Sequence, residues 1–145
     1  MVIFRAHYAV HATDVTRPFP GIVDALDALA ARGFVLAVLT NKHGEAARLI
    51  LDRLGLAHRF ALILGGGDVS ALKPDPAGLL DCLARLGVAS AHAWYVGDLA
   101  LDVDTARRAG VPAAGASWGY GDRGALEAAR PQMMLVSVSD LGTLG

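Results

Sequence analysis

The sequence predicts an α/β protein built on a doubly wound parallel sheet, with helices on both faces in a three-layer α/β/α arrangement. Three observations carry this. Short apolar runs of strand length alternate with segments of helical periodicity, and the connections are too long for hairpins, so successive strands return by right-handed crossovers. Most helical segments close on a glycine, the residue favoured just past a helix C-terminus. Several apolar runs stop abruptly in polar residues, as buried strands do when they deliver side chains to a sheet edge. With 145 residues, 54% hydrophobic and 19% charged, the chain has the apolar content of one globular domain over 1–145. A formal charge of -1 gives no support to nucleic-acid or polyanionic-membrane partners. No apolar run reaches membrane-spanning length, and nothing at the N-terminus resembles a signal peptide.

In chain order, Ile3, Phe4 and Tyr8 fall on one helical face within 1–11. His7 and His11 share the spacing of a two-histidine metal pair, but no Glu follows His7 and no third ligand is evident, so the expectation is a solvated face. Arg17-Pro18-Phe19-Pro20-Gly21 breaks the chain. Ile22, Val23, Leu26 and Leu29 then recur at helical spacing up to Arg32-Gly33. The apolar run Phe34 to Leu39 reads as a buried strand with Thr40-Asn41-Lys42 at its tip. Helix is expected from Glu45 to Leu54, closing on Gly55, followed by a short strand from Ala61 to Leu64 that opens into Gly65-Gly66-Gly67. This triple glycine lacks the spacing of a dinucleotide-binding loop and reads as a turn. A third helix from Leu79 to Leu86 closes on Gly87. It carries Cys82, a solitary cysteine that reads as a buried thiol in a reducing, cytoplasmic setting.

The rest of the chain is arranged around Trp94-Tyr95-Val96-Gly97-Asp98-Leu99-Ala100-Leu101-Asp102. An apolar run ending in Gly-Asp mounts a carboxylate on a strand tip, and Asp102 follows at the opening of a helix that closes on Ala109-Gly110. Two hard-oxygen groups converging on one spot suit a Mg²⁺ ion that keeps several waters. The same residues could instead cap a helix N-terminus. A weaker strand from Ala113 to Ala116 runs into Ser117-Trp118-Gly119-Tyr120-Gly121. A short helix near Ala125 to Ala129, a strand at Met133 to Val136 and a turn at Asp140-Leu141 complete the reading. Ligands of such sheets bind beyond the carboxyl ends of the strands. Thr40, Lys73, Asp98 and Asp102 all fall on that edge: a hydroxyl and an ammonium for phosphate oxygens, and two acids for a cation. Each has a structural alternative, Thr40 as a helix cap and Lys73 as a solvated side chain.

Val38-Leu39-Thr40-Asn41-Lys42, then Leu72-Lys73-Pro74-Asp75-Pro76, then Tyr95-Val96-Gly97-Asp98 with Asp102 and Ala109-Gly110, resemble in order and spacing three motifs of the haloacid dehalogenase superfamily. Arg17-Pro18-Phe19-Pro20-Gly21 and Trp118-Gly119-Tyr120-Gly121 resemble its phosphoglycolate phosphatase branch. The resemblance implies a Mg²⁺-dependent phosphomonoester hydrolase acting on a small phosphorylated metabolite. Thr40 and Asn41 would then bind the phosphoryl group, Lys73 would steady the phosphate and nucleophile, Asp98 would ligate Mg²⁺, and Asp102 would support the metal site. Thr40, Lys73 and Asp98 are thus the expected catalytic set. Leu99 stands where the family usually has a small hydroxyl residue.

The family's nucleophile motif, Asp-x-Asp-Gly-Thr on the first strand, does not occur in this sequence. Asp14 follows no apolar run, and Asp68 is at the end of the wrong strand. By resemblance residues 1–17 correspond to the end of the cap domain, which leads to the expectation that the central strand and most of the cap are missing. Two apolar strand edges would then face a gap, so the chain is expected to dimerise, aggregate, or recruit its own Met1 to Phe4 segment as a substitute strand. It is also expected to be inactive alone and to need a complementing N-terminal segment. The alternative is a non-catalytic phosphate- or partner-binding domain derived from a phosphatase. A receiver-type signalling domain is a distant third, since it too needs a strand-end aspartate.

Overall fold

A computed structural model of the chain describes residues 2–4, 10–11 and 17–145, with side chains from residue 18 onward. Among the described residues eight strands and five helices follow one another as β1 (Val2–Phe4), β2 (Val10–His11), β3 (Arg17–Pro18), α1 (Ile22–Ala31), β4 (Leu36–His43), α2 (Gly44–Arg53), β5 (Leu62–Gly66), α3 (Ala77–Leu86), β6 (Trp94–Gly97), α4 (Ala100–Ala109), β7 (Ala113–Ala116), α5 (Arg123–Ala128) and β8 (Met133–Leu135). A 3₁₀ segment, Val138–Thr143, closes the chain. Six strands form one parallel sheet in the order β5-β4-β1-β6-β7-β8, and β2 pairs with β3 in an antiparallel ribbon.

Period-two alternation along the strands sorts the core into two layers. From β4, Leu36 and Val38 enter one layer while Ala37 and Leu39 enter the other; from β6, Val96 and Tyr95 divide in the same way. The first layer is covered by Ile22, Leu26 and Leu29 of α1 and by Leu51 of α2, and completed by Leu141 and Leu144 near the C-terminus. The second is covered by Leu79, Cys82 and Leu83 of α3, by Val103 and Ala106 of α4, and by Leu126 of α5. Each such leucine contributes about 1.5–3 kcal/mol on burial, so the two stripes dictate which face every helix presents. The predicted three-layer architecture is therefore present, with helices on both faces. The glycines past α3 and α4 adopt the left-handed conformation at Gly87 (φ 65) and Gly110 (φ 71), which ends both helices as expected.

Two expectations are revised. Helix was expected over Met1 to His11, but Val2–Phe4 and Val10–His11 are strands. The sheet was expected to lack its central strand, yet Val2–Phe4 stands there, with Phe4 level with Val38 on one side and Val96 on the other. Of the outcomes foreseen for the gap, recruitment of this segment is the one observed. The physical reason is the same for both. Two apolar strands with open hydrogen-bonding edges offer a β-branched segment ladder bonds on both sides, whereas a lone amphipathic turn gains little. The positions of His7 and Asp14, and most of the segment likened to a cap, lie outside the described residues. A smaller difference concerns β4, which runs on through its polar tip to His43 after a shift of register beyond Leu39. No helix among the described residues is long and apolar enough to cross a membrane.

Candidate functional site

Thr40 in β4 and Asp98, just beyond β6, each lie two residues past the pair that flanks Phe4, the last residue of β1, which puts both on the carboxyl edge of the sheet. Thr40 is buried, and its Oγ1 accepts the N–H of Lys42 at 3.1 Å. A hydroxyl that already accepts a backbone donor has its own proton to direct elsewhere.

Asp98 is 1% exposed and is held from behind by the loop after β7. Its Oδ2 accepts the N–H of Tyr120 at 2.8 Å and that of Gly121 at 3.3 Å. This approach is possible because the loop is glycine-rich. A Cβ on Gly119 would fall 2.5 Å from Asp98 Oδ2, and one on Gly121 would fall 2.8 Å from the Asp98 carbonyl carbon. The Trp118-Gly119-Tyr120-Gly121 run is thus a backbone clamp on the strand-tip carboxylate, a role that the sequence alone did not suggest.

Lys73 was open to reading as a solvated side chain, but its ammonium is buried. Nζ donates to Asp102 Oδ1 and to the Tyr95 hydroxyl, both at 2.8 Å. Asp102 Oδ2 in turn accepts the N–H of Leu99 at 3.1 Å, which fixes the carboxylate against the start of α4. Asp102 therefore does two jobs, as helix cap and as counter-ion. Asn41 engages the Lys73 peptide from both sides: Nδ2 donates to Lys73 O at 3.1 Å, and Oδ1 accepts the Lys73 N–H at 2.9 Å. The sequence placed Asn41 beside Thr40 as a phosphate ligand; its amide is engaged here with the loop that carries the lysine.

Asp68, considered as an alternative nucleophile, is tied to the edge of the sheet. Its Oδ2 accepts Arg48 Nη1 at 2.7 Å and Gly65 N–H at 2.9 Å. The Arg48 guanidinium, and then the Gly65 N–H, hold its carboxyl below the usual aspartate range. Cys82 is a buried free thiol whose pKa burial pushes up to about 12, so it stays protonated, in line with a structural role.

The donor set can be tested against a cation. Among the described residues no three His, Cys, Asp or Glu side chains gather into a group that could cage a metal. Magnesium asks for less: one or two carboxylates, retained waters and the oxygens of a phosphate. The clamped Asp98 carboxylate, with the Thr40 hydroxyl on the same edge, fits that requirement.

The profile of the haloacid dehalogenase-like hydrolase family matches residues 2–116. The phosphoglycolate phosphatase of Escherichia coli K12 is 34% identical over 139 residues, which cover 96% of this chain and 55% of that protein. The phosphoglycolate phosphatase of Aquifex aeolicus is 42% identical over 118 residues, 81% of this chain and 55% of that protein. Among solved structures, a predicted phosphoglycolate phosphatase from Haemophilus somnus superimposes with a TM-score of 0.83 at 30% identity, covering 88% of this chain and 57% of the other. The chain spans about half the length of the curated relatives it matches.

Proposed function

The chain belongs to the haloacid dehalogenase-like hydrolases, and from that premise we propose that its sheet edge binds the phosphate of a small phosphorylated metabolite for Mg²⁺-dependent monoester hydrolysis of the phosphoglycolate phosphatase type. The observation that carries the reading is the buried Lys73–Asp102 pair on the same edge as Thr40 and Asp98. Burying an ion pair carries a desolvation cost that apolar side chains of the same volume avoid, which supports a functional use for the ammonium.

In this reading Thr40 donates its remaining hydroxyl proton to a phosphoryl oxygen, and Lys73 neutralises charge on the same group. Asp98 holds the magnesium, which when bound neutralises phosphate charge that hydrogen bonds alone leave in place. Asp102 stands behind Lys73 and keeps its ammonium at the edge. Asn41 supports the site by fixing the Lys73 loop. Phosphoryl transfer to the protein needs an aligned nucleophile as well. The strand in the central position is followed by Arg5, and the first acid of the sequence is Asp14. We therefore expect the chain alone to bind phosphate without efficient turnover, and expect activity when a segment carrying Asp-x-Asp-Gly-Thr is supplied in trans. Val2–Phe4 would have to yield its place, which also makes pairing with a second copy a competing outcome. The buried thiol of Cys82 supports the cytoplasmic setting expected from the sequence.

The test is hydrolysis of an aryl phosphate with Mg²⁺, by the purified chain and by its mixture with a peptide carrying the family's first strand. Turnover in the mixture only, lost again with Asp98→Asn, supports the reading. Vigorous turnover by the chain alone, abolished by Asp14→Asn or Asp68→Asn, overturns the assignment of a missing nucleophile. Arg5 after the central strand favours a second reading, a phosphate-binding domain without chemistry. That reading gains if phosphate binds and the mixture stays inert.

A further inference from the structure

Tyr95 is a buried polar side chain at the site to which the proposed reaction gives no task. It is 1% exposed, and its ring lies in the apolar layer with Leu39, Leu79 and Cys82. A phenylalanine would fill such a place without a hydroxyl to satisfy. The hydroxyl is 2.8 Å from Lys73 Nζ and 3.3 Å from the carbonyl oxygen of Leu39. Chemistry fixes the direction of both bonds. An ammonium has no acceptor, so the tyrosine oxygen accepts from Lys73 and its own proton goes to Leu39. The ammonium is 5.4 Å from the ring centroid, which with the short oxygen contact puts it off the hydroxyl end of the ring and not over its face. The contact is a hydrogen bond, with little cation–π character.

Leu39 C=O belongs to the same peptide unit as the N–H of Thr40. One hydroxyl therefore connects the ammonium of Lys73 to the backbone that carries Thr40. Asp102 holds the ammonium of the long, flexible lysine stem from α4, and one hold by itself leaves rotation about it. The tyrosine holds the same ammonium from another direction, and is itself tied through Leu39 to β4. We propose that Tyr95 is a positioning residue, whose hydroxyl sets where the Lys73 ammonium stands relative to Thr40. This inference rests on the reading of Lys73 and Thr40 as phosphate-handling groups.

The sequence makes the test clean, because Lys42 and Lys73 are its two lysines and Cys82 its one cysteine. Lys42 is exposed, whereas Lys73 and Cys82 are buried. The full chain is acetylated at one fixed pH, and the Lys73 to Lys42 ratio is read by mass spectrometry, with alkylation of Cys82 reporting general opening. In Tyr95→Phe the ratio should rise about tenfold or more, the factor expected for one lost hydrogen bond to a charged group, with Cys82 still protected. Leu83→Val, which loosens the same apolar layer without touching Lys73, should leave the ratio unchanged. An unchanged ratio in Tyr95→Phe, an equal rise in Leu83→Val, or a rise seen only together with Cys82 labelling overturns the proposal. Should Tyr95→Phe fail to fold, the unmodified chain decides: with ¹⁵N-lysine labelling, Lys73 Nζ protons must show a cross-relaxation signal to the Tyr95 ring, and its absence overturns the proposal. Binding of inorganic phosphate separates the two readings. Weaker binding in both Tyr95→Phe and Lys73→Met supports both, whereas a raised labelling ratio with unchanged phosphate binding in Lys73→Met supports the positioning and refutes the phosphate site.

Discussion

Removing the Lys73 ammonium should cost far more stability than an exposed ion pair is worth, and removing Asp102's charge with it should restore most of the loss. In Lys73→Met the stem keeps its packing, but Asp102, 1% exposed, keeps its charge and loses the Lys73 ammonium. Breaking a buried pair in this one-sided way costs about 3–5 kcal/mol. At about 2–4 °C per kcal/mol for chains near this size, the melting temperature should fall by roughly 6–20 °C. Asp102→Asn keeps an oxygen to accept the Leu99 N–H while losing the charge, so it tests the ion pair and not the cap. The double variant buries neither charge, and should lie within about 1–2 kcal/mol of the unmodified chain. Urea denaturation of the four proteins, at one pH and salt concentration, completes the cycle. If the two single losses simply add in the double variant, Lys73 and Asp102 are not coupled, and the account of Lys73 as a buried, carboxylate-held cation is wrong.

Calorimetric titration with Mg²⁺ should show Asp98→Asn losing binding and Asp102→Asn retaining most of it, since both oxygens of Asp102 have other work; equal losses would contradict the assignment. Gly119→Ala should weaken Mg²⁺ binding by tenfold or more while changing secondary structure little, because its Cβ would intrude 2.5 Å from Asp98 Oδ2 and push the clamp away; circular dichroism and the same titration check this, with the factor about that of one displaced ligand contact. Asp68 binds its proton less readily in the folded chain than when unfolded, so its pairing with Arg48 stabilises fully above the ordinary aspartate pKa of about 3.9 and is lost as pH falls through the lower folded value. Arg48→Met should therefore flatten the acid limb of a stability-versus-pH curve and leave the region near pH 7 parallel to that of the unmodified chain.

The carboxyl edge was legible because its residues are consecutive with strands whose character is plain: an apolar run ending in Thr40, another ending in Gly97-Asp98. Helix closure was legible for the same local reason at Gly87 and Gly110. What the sequence hid are relations between distant positions. Tyr95 looks like one more core aromatic in Trp94-Tyr95-Val96 until the fold brings Lys73 to its hydroxyl. Asn41 looks like a ligand beside Thr40 until Lys73, 32 positions away, takes both ends of its amide. The clamp of Tyr120 and Gly121 on Asp98 needs the β7 loop to return over β6, which no periodicity announces. The first strand was misread because three apolar positions fit helical and extended spacing alike, and two open sheet edges decided between them.

The strand Val2–Phe4 is the only ladder, among the described residues, that joins the β5-β4 half of the sheet to the β6-β7-β8 half, and it is three residues long. One brief opening of β1 would therefore expose the inner edges of β4 and β6 together, while their outer edges stay bonded to β5 and β7. In a hydrogen–deuterium experiment, the amides of β4 and β6 that face β1 should exchange with a single shared rate, and faster than the amides of the same strands that face outward.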